Sequence, residues 1–161
     1  MTGRDRDAAG RARNARPRDA AGRPLPRDAT GVERVPEDLV LSAEESVTEA
    51  QRLLDAALPF AAHEVLEGAW KAAPAAEREL WRGLAQLAVG LTHAQRGNAR
   101  GAVTLLDRAA ERLGGWTGPV PAGLAVPATA AWASALARRI EGGGTAQLVP
   151  TDLDPRLRAD G

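Results

Sequence analysis

No cysteine occurs anywhere in this sequence, which removes disulfides, thiolate zinc sites, iron–sulfur clusters and cysteine nucleophiles together. Tyrosine is also missing, Phe60 is the only phenylalanine, and aromatics make up 3% of the chain. Strands are therefore short of the residues they favour, and the four tryptophans become the large core candidates. Net charge is missing too: 21 basic and 21 acidic residues cancel, so no overall field draws in nucleic acid or an anionic membrane. Lys71 is the only lysine; with so much Ala, Gly and Pro, the arginine excess reads as codon bias rather than selected guanidinium chemistry. The opening MTGRDRDAAG carries no apolar h-region, and no window approaches the roughly 18 consecutive apolar residues of a membrane span. The expected location is the cytoplasm, away from any membrane.

What is present points to helix. Apolar residues make up 44% of the 161 positions, and alanine and leucine carry most of that share; both lose little on entering a helix. The length suits one domain. Residues 1 to 36 are Arg, Asp, Ala, Gly and Pro with almost nothing apolar, a composition that cannot offset the entropy of ordering. This stretch carries nine Arg against four Asp and Glu33, so a nucleic-acid-binding arm is one reading. Its RDRD and PRD runs intersperse opposite charges, however, and no aromatic is there to stack on bases. We read it as a solvated tail and do not expect nucleic acid as a partner. The expected layout is a disordered tail over 1–36, a helical domain over 37–142 and an extended C-terminal tail over 143–161. Leu148, Val149 and Leu153 are candidates to pin part of that last segment.

Within the middle segment the period is helical. Ser42-Ala43-Glu44-Glu45 reads as a capping box opening a first helix to about Ala57, with Val47, Ala50, Leu54 and Ala57 as its apolar stripe. Pro59 suits a first-turn position, so a second helix is expected to about Ala72. A third, the longest, is expected over about 75 to 96 after Pro74. Gly97-Asn98 breaks it, and a fourth follows from about Ala99 to Leu113 with Val103, Leu106, Ala110 and Leu113 inward. A Pro- and Gly-rich loop with Trp116 leads to a fifth, about 128 to 141, marked by Trp132, Leu136 and Ile140. Five helices with mostly short connections give an all-α fold: a small antiparallel bundle or stack of helical hairpins.

One short polar motif stands out on the second helix, which reads PFAAHEVLEGAW. At about 100° per residue, His63 and Glu67 lie about 40° apart, and Trp70 about 20° to the other side of His63. Phe60 shares the face, so a titratable pair is bracketed by aromatics. On the third helix Gly83, Gln86, Gly90, His93 and Gly97 fall along one broad face. Glycine costs about 1 kcal/mol inside a helix, so Gly83 and Gly90 suggest close approach by another helix. Antiparallel packing of the two helices would bring His63 near Gln86 or His93.

The stretch from Phe60 to Leu113 resembles the bacterial and archaeal domain-of-unknown-function 309 family, known for an H-x-x-x-E-x-x-W motif. The matching residues are His63, Glu67 and Trp70, followed by Gly83, Gln86, His93, Gly97, Asn98, Gly101 and Ala102 in GLAQLAVGLTHAQRGNARGA. Arg82 departs from the family pattern, where a glutamine is expected before the glycine. The resemblance implies an all-helical fold and a homo-oligomer, and no reaction. A weaker likeness to the tetratricopeptide pattern, with Gly90 and Gly97 as its glycines and Ala102, Leu106 and Ala109 at its small and apolar positions, marks a similar hairpin rather than membership. A single repeat cannot bury its own face.

Three uses of the motif compete. In the structural one, Glu67 hydrogen-bonds the His63 imidazole beneath Trp70. In the second, the pair floors a pocket for a small molecule or peptide. In the third, His63 and Glu67 at i, i+4 hold a metal completed by His93 or Glu64; HEVLE lacks the second imidazole of HExxH, so zincin chemistry does not transfer. No phosphate loop or nucleophile elbow is present. The expectation is a helical interaction or ligand-binding module, without a cofactor or an assigned metal, whose inter-helix groove holds His63, Glu67, Trp70, Gln86 and His93. A metal-assisted hydrolase is the alternative.

Overall fold

The computed structural model describes residues 40–159. The 1–36 stretch, read above as a disordered tail, lies outside them. Among the described residues there are five α-helices and no strand: α1 (Ala43–Asp55), α2 (Pro59–Ala72), α3 (Arg78–Gln95), α4 (Ala99–Gly114) and α5 (Val126–Gly143), then a short 3-10 turn, Pro150–Leu153. Each helix packs on the next in sequence, so the fold is a stack of antiparallel hairpins.

Local chemistry sets the helix ends. The Glu45 amide donates to Ser42 Oγ at 3.1 Å while the Ser42 amide donates to Glu45 Oε1 at 3.0 Å, the expected capping box. α1 stops at Asp55, two residues short of the expected Ala57. There the Ala57 amide donates to Leu54 O, the Leu58 amide to Leu53 O, and Ala57 takes a left-handed φ of 59°. The α3–α4 turn repeats this Schellman pattern with Gly97 (φ 81°) in the left-handed seat. α3 begins at Arg78 rather than 75, because the residues after Pro74 form a separate turn closed by the Glu77 amide on Pro74 O. α5 begins two residues early, at Val126, with Pro127 tolerated in its first turn.

The core is aliphatic. Of the four tryptophans only Trp81 is fully buried; Trp70, Trp116 and Trp132 pack at its edge. On α4 the buried stripe is Ala102, Leu106, Ala109 and Leu113, so the expected Val103 and Ala110 lie one position off and are half-buried. The reason is the pair of α3 glycines. A Cβ on Gly83 would come 2.9 Å from Leu113 Cδ2, and one on Gly90 would come 2.9 Å from Leu106 Cγ and 3.2 Å from the Leu106 backbone nitrogen. The close approach they imply is made by α4.

The C-terminal segment lies against the helices. After Gly144 the chain turns back antiparallel to both α1 and α5 and lies between them, with the Pro150–Leu153 turn against α3. We refer to residues 145–158 as the strap. Its anchor is Leu157, completely buried, with Pro155 also inside. Leu148 and Leu153 rest partly on the core, and Val149 is exposed.

Candidate functional site

Pro59 starts α2 and places Phe60, His63, Glu67 and Trp70 in one row beside α3. His63 Nε2 lies 3.1 Å from Glu67 Oε2, and the other carboxylate oxygen of Glu67 takes Lys71 Nζ at 2.9 Å. Lys71 is the next i, i+4 partner along the helix. Burial holds the His63 imidazole below its ordinary pKa of 6.5; Glu67 opposes that and Lys71 adds to it. A neutral ring that donates Nε2–H to Glu67 keeps Nδ1 as an acceptor. That Nδ1 is buried and has no hydrogen-bond partner, and neither has the buried Nε1 of Trp70.

Aromatic contacts frame the pair. The Phe60 and His63 rings stand 5.8 Å apart at 53°. The Arg82 guanidinium on α3 lies 6.0 Å from the Trp70 ring centroid, and that of Arg96, the residue capping α3, lies 5.9 Å from the Phe60 centroid, both within cation–π range. Gln95 Nε2 donates to Ala57 O at 2.9 Å and ties the far end of α3 to the start of α2.

Gln86 and His93 face the other way. Gln86 Oε1 accepts from Arg112 Nε at 3.1 Å, and Arg112 also pairs with Glu79. His93 Nδ1 lies 3.1 Å from Asn98 Nδ2 and packs under Gly101, where a Cβ would come 2.9 Å from the ring. Asn98 in turn accepts from the Gly101 amide and caps α4. Both residues therefore bond to the α3–α4 side, and neither hydrogen-bonds to His63 or Glu67.

Residues 47–105 match the domain of unknown function (DUF309). The matched segment runs from within α1 to within α4 and contains His63, Glu67, Trp70, Gln86 and His93; α5 and the strap lie beyond it. No curated protein and no solved structure matches the chain.

Metal ligation has a narrow base here. Among the described residues no group of three His, Asp or Glu side chains is placed to hold an ion, and His93 bonds toward Asn98 rather than toward the His63–Glu67 pair. No described helix is long and apolar enough to cross a membrane. Sequence reasoning missed Lys71, Arg82 and Arg96 as parts of this site. Lys71 had a readable signal, its i, i+4 spacing from Glu67. Arg96 caps α3 fourteen positions after Arg82, a spacing that sets the two within about 40° of each other around the helix.

A second cluster lies under the strap. Gln51 Nε2 donates to Asp55 Oδ1 at 2.9 Å and reaches Asp154 Oδ1 at 3.4 Å. Arg156 bridges the two carboxyls, at 2.5 Å from Asp55 and 2.7 Å from Asp154. Burial, a shared hydrogen bond with Asp55 and the Asp55 charge push the Asp154 carboxyl up to about 6, against the pull of Arg156. Burial also acts to raise Asp55, but hydrogen bonds from Gln51, Asp154 and Arg156 outweigh it and hold Asp55 below 3.8. Below about pH 6 the proton this pair holds therefore sits on Asp154 rather than Asp55.

Proposed function

We propose that this chain is a non-enzymatic helical interaction or ligand-binding module that engages its partner at the α2–α3 seam around His63, Glu67 and Trp70. The observation that carries the reading is the pair of buried, unpartnered nitrogens, Nδ1 of His63 and Nε1 of Trp70. One is an acceptor and the other a donor. A buried polar group left unmade costs about 1–3 kcal/mol, so two on one helix face call for a partner group from elsewhere. A small molecule or peptide offering both a donor and an acceptor would relieve them, with Arg82 and Arg96 swinging off the aromatic rings to admit it. The description of the matching family, a domain of unknown function, is compatible with this reading and names no reaction.

Metal-assisted hydrolysis is the competing use, since His63 and Glu67 keep the i, i+4 spacing of two ligands. The two separate in a melting experiment. For a module, chelator, zinc and manganese leave the melting temperature unchanged. His63→Ala and Glu67→Ala then each destabilise by roughly 1 kcal/mol, with the double variant costing less than their sum. A metal-induced rise in melting temperature, lost in both single variants, would establish the metal site instead. Strictly additive variants would show that the pair does not act as a unit.

A further inference from the structure

Gln51 performs two tasks with one amide. Its Oε1 accepts from the Leu157 amide at 2.9 Å and its Nε2 donates to Pro155 O at 2.9 Å, so it clamps the strap's backbone in the groove between α1 and α5. The same Nε2 also reaches Asp55 Oδ1 at 2.9 Å and Asp154 Oδ1 at 3.4 Å. Three acceptors therefore compete for a nitrogen that carries two hydrogens. Arg156 Nη2 bridges the carboxyls, at 2.5 Å from Asp55 and 2.7 Å from Asp154, but one guanidinium cannot neutralise two carboxylates. A proton on Asp154 removes both deficits. Its O–H is shared with Asp55, one Gln51 hydrogen is left to Pro155, and the two acids and one guanidinium become neutral together.

Other charges near the cluster have partners of their own. From α5, Arg139 pairs with Asp152 at 3.1 Å; the Val149 amide and Arg139 hold Asp152 below 3.8, so it stays ionised where Asp154 titrates. From α1, Arg52 pairs with Glu49, and Glu44 meets Arg158. The end of α3 nearest the strap, where a Cβ on Gly97 would come 3.9 Å from Thr145 Oγ1, carries His93 beside Asn98 and Arg96 over Phe60. The strap's root is braced separately, since Gln147 Nε2 donates to Arg139 O at 3.1 Å and to Gly144 O at 3.2 Å. We propose that Gln51, Asp55 and Asp154 form a proton latch, which seats residues 154–158 while Asp154 is protonated and loosens them when that proton leaves. Ionised Asp154 draws Gln51 Nε2 away from Pro155 O, and the Leu157 bond at the other end of the same side chain slackens with it. Asp154 titrates at about 6 when docked, against 3.8 for the ordinary acid. Asp55, held below 3.8, stays charged over that interval and adds no opposing step. The latch is independent of the seam around His63.

Amide hydrogen exchange on the full chain, read residue by residue and corrected for the intrinsic rate at each pH, tests the latch. Linkage from the two Asp154 values predicts that protection of the Leu157 amide falls roughly tenfold between about pH 5 and about pH 7.5. The Leu148 amide, which donates to Thr145 O at the braced root, is expected to hold. Asp154→Asn, uncharged and still able to donate to Asp55, is expected to keep the acid level of Leu157 protection throughout. Equal Leu157 protection at both pH values in the parent chain would overturn the proposal. So would a fall that persists in Asp154→Asn, or one shared equally by Leu148, since the strap would then leave as a whole. Should the variant misfold, the parent chain decides through the carbon-13 shift of the Asp154 carboxyl. Its midpoint is expected to coincide with that of Leu157 protection, and a separation of more than about one pH unit would refute the latch.

Discussion

Burial acts on both His63 in the α2–α3 seam and Asp154 under the strap, and in each it favours the neutral form, yet the consequences for pH run opposite. His63 is a base held below 6.5. The folded chain binds its proton less readily than the unfolded chain, so the stability His63 contributes is complete above about pH 6.5 and is lost as pH falls through the lowered value. Asp154 is an acid raised from 3.8 to about 6. Its contribution is complete below pH 3.8 and is lost as pH rises through about 6. Near neutrality the seam is in its favoured state while the strap carries two carboxylates on one arginine. The two regions are therefore set against each other by acidity, and the difference teaches that the α1 face and the α2 face answer to separate conditions.

The largest effect that sharpens this comparison comes from the strap. Leu157 is fully buried, so Leu157→Ala is expected to cost about 2–4 kcal/mol in urea melting. A cost under about 1 kcal/mol would mean that the strap rests on the body without contributing to it, and the comparison would collapse to the seam alone.

A smaller, signed pair of effects tests the opposition itself. Asp154→Asn, which mimics the protonated acid, is expected to match the parent chain near pH 4 and to exceed its stability at pH 8. His63→Gln is expected to flatten the acid-side loss that begins below about 6.5 and to leave the Asp154 limb untouched. Melting curves collected from pH 4 to 8 check both. A shared slope change in the two variants would show that the regions are coupled rather than separate.

The smallest effect serves as a control on the α1–α2 joint, which carries one wall of each region. Ala57 occupies a left-handed seat at φ 59°, and relief of that conformation by Ala57→Gly is expected to stabilise by about 1 kcal/mol or less. The gain should appear equally at pH 4 and pH 8. A gain confined to one end of that range would place the joint inside one region.

Much of the array was legible because its signals are local. The Ser42 box, Pro59, the Gly97-Asn98 break and the Gly83/Gly90 spacing each act within a turn or two of themselves. His63 and Glu67 were legible for the same reason. The partners of Gln86 and His93 were not, since which neighbour meets a helix face depends on its rotation, and the α3 glycines draw α4 toward that side. The strap was least legible. Its decisive bond, from the Leu157 amide to Gln51, joins residues 106 apart in sequence, and no periodicity announces a polar contact of that kind. Leu157 itself, flanked by two arginines, looks like any residue of a charged tail.

The order of closure follows from the stacking. Each helix touches its sequence neighbour, so the array is rich in short-range contacts and can assemble quickly, hairpin by hairpin. The strap closes a loop of more than a hundred residues back to α1, and it leaves the ribosome after every helix it will touch. A newly made chain therefore passes through a stage in which the helices are stacked and the groove stands open.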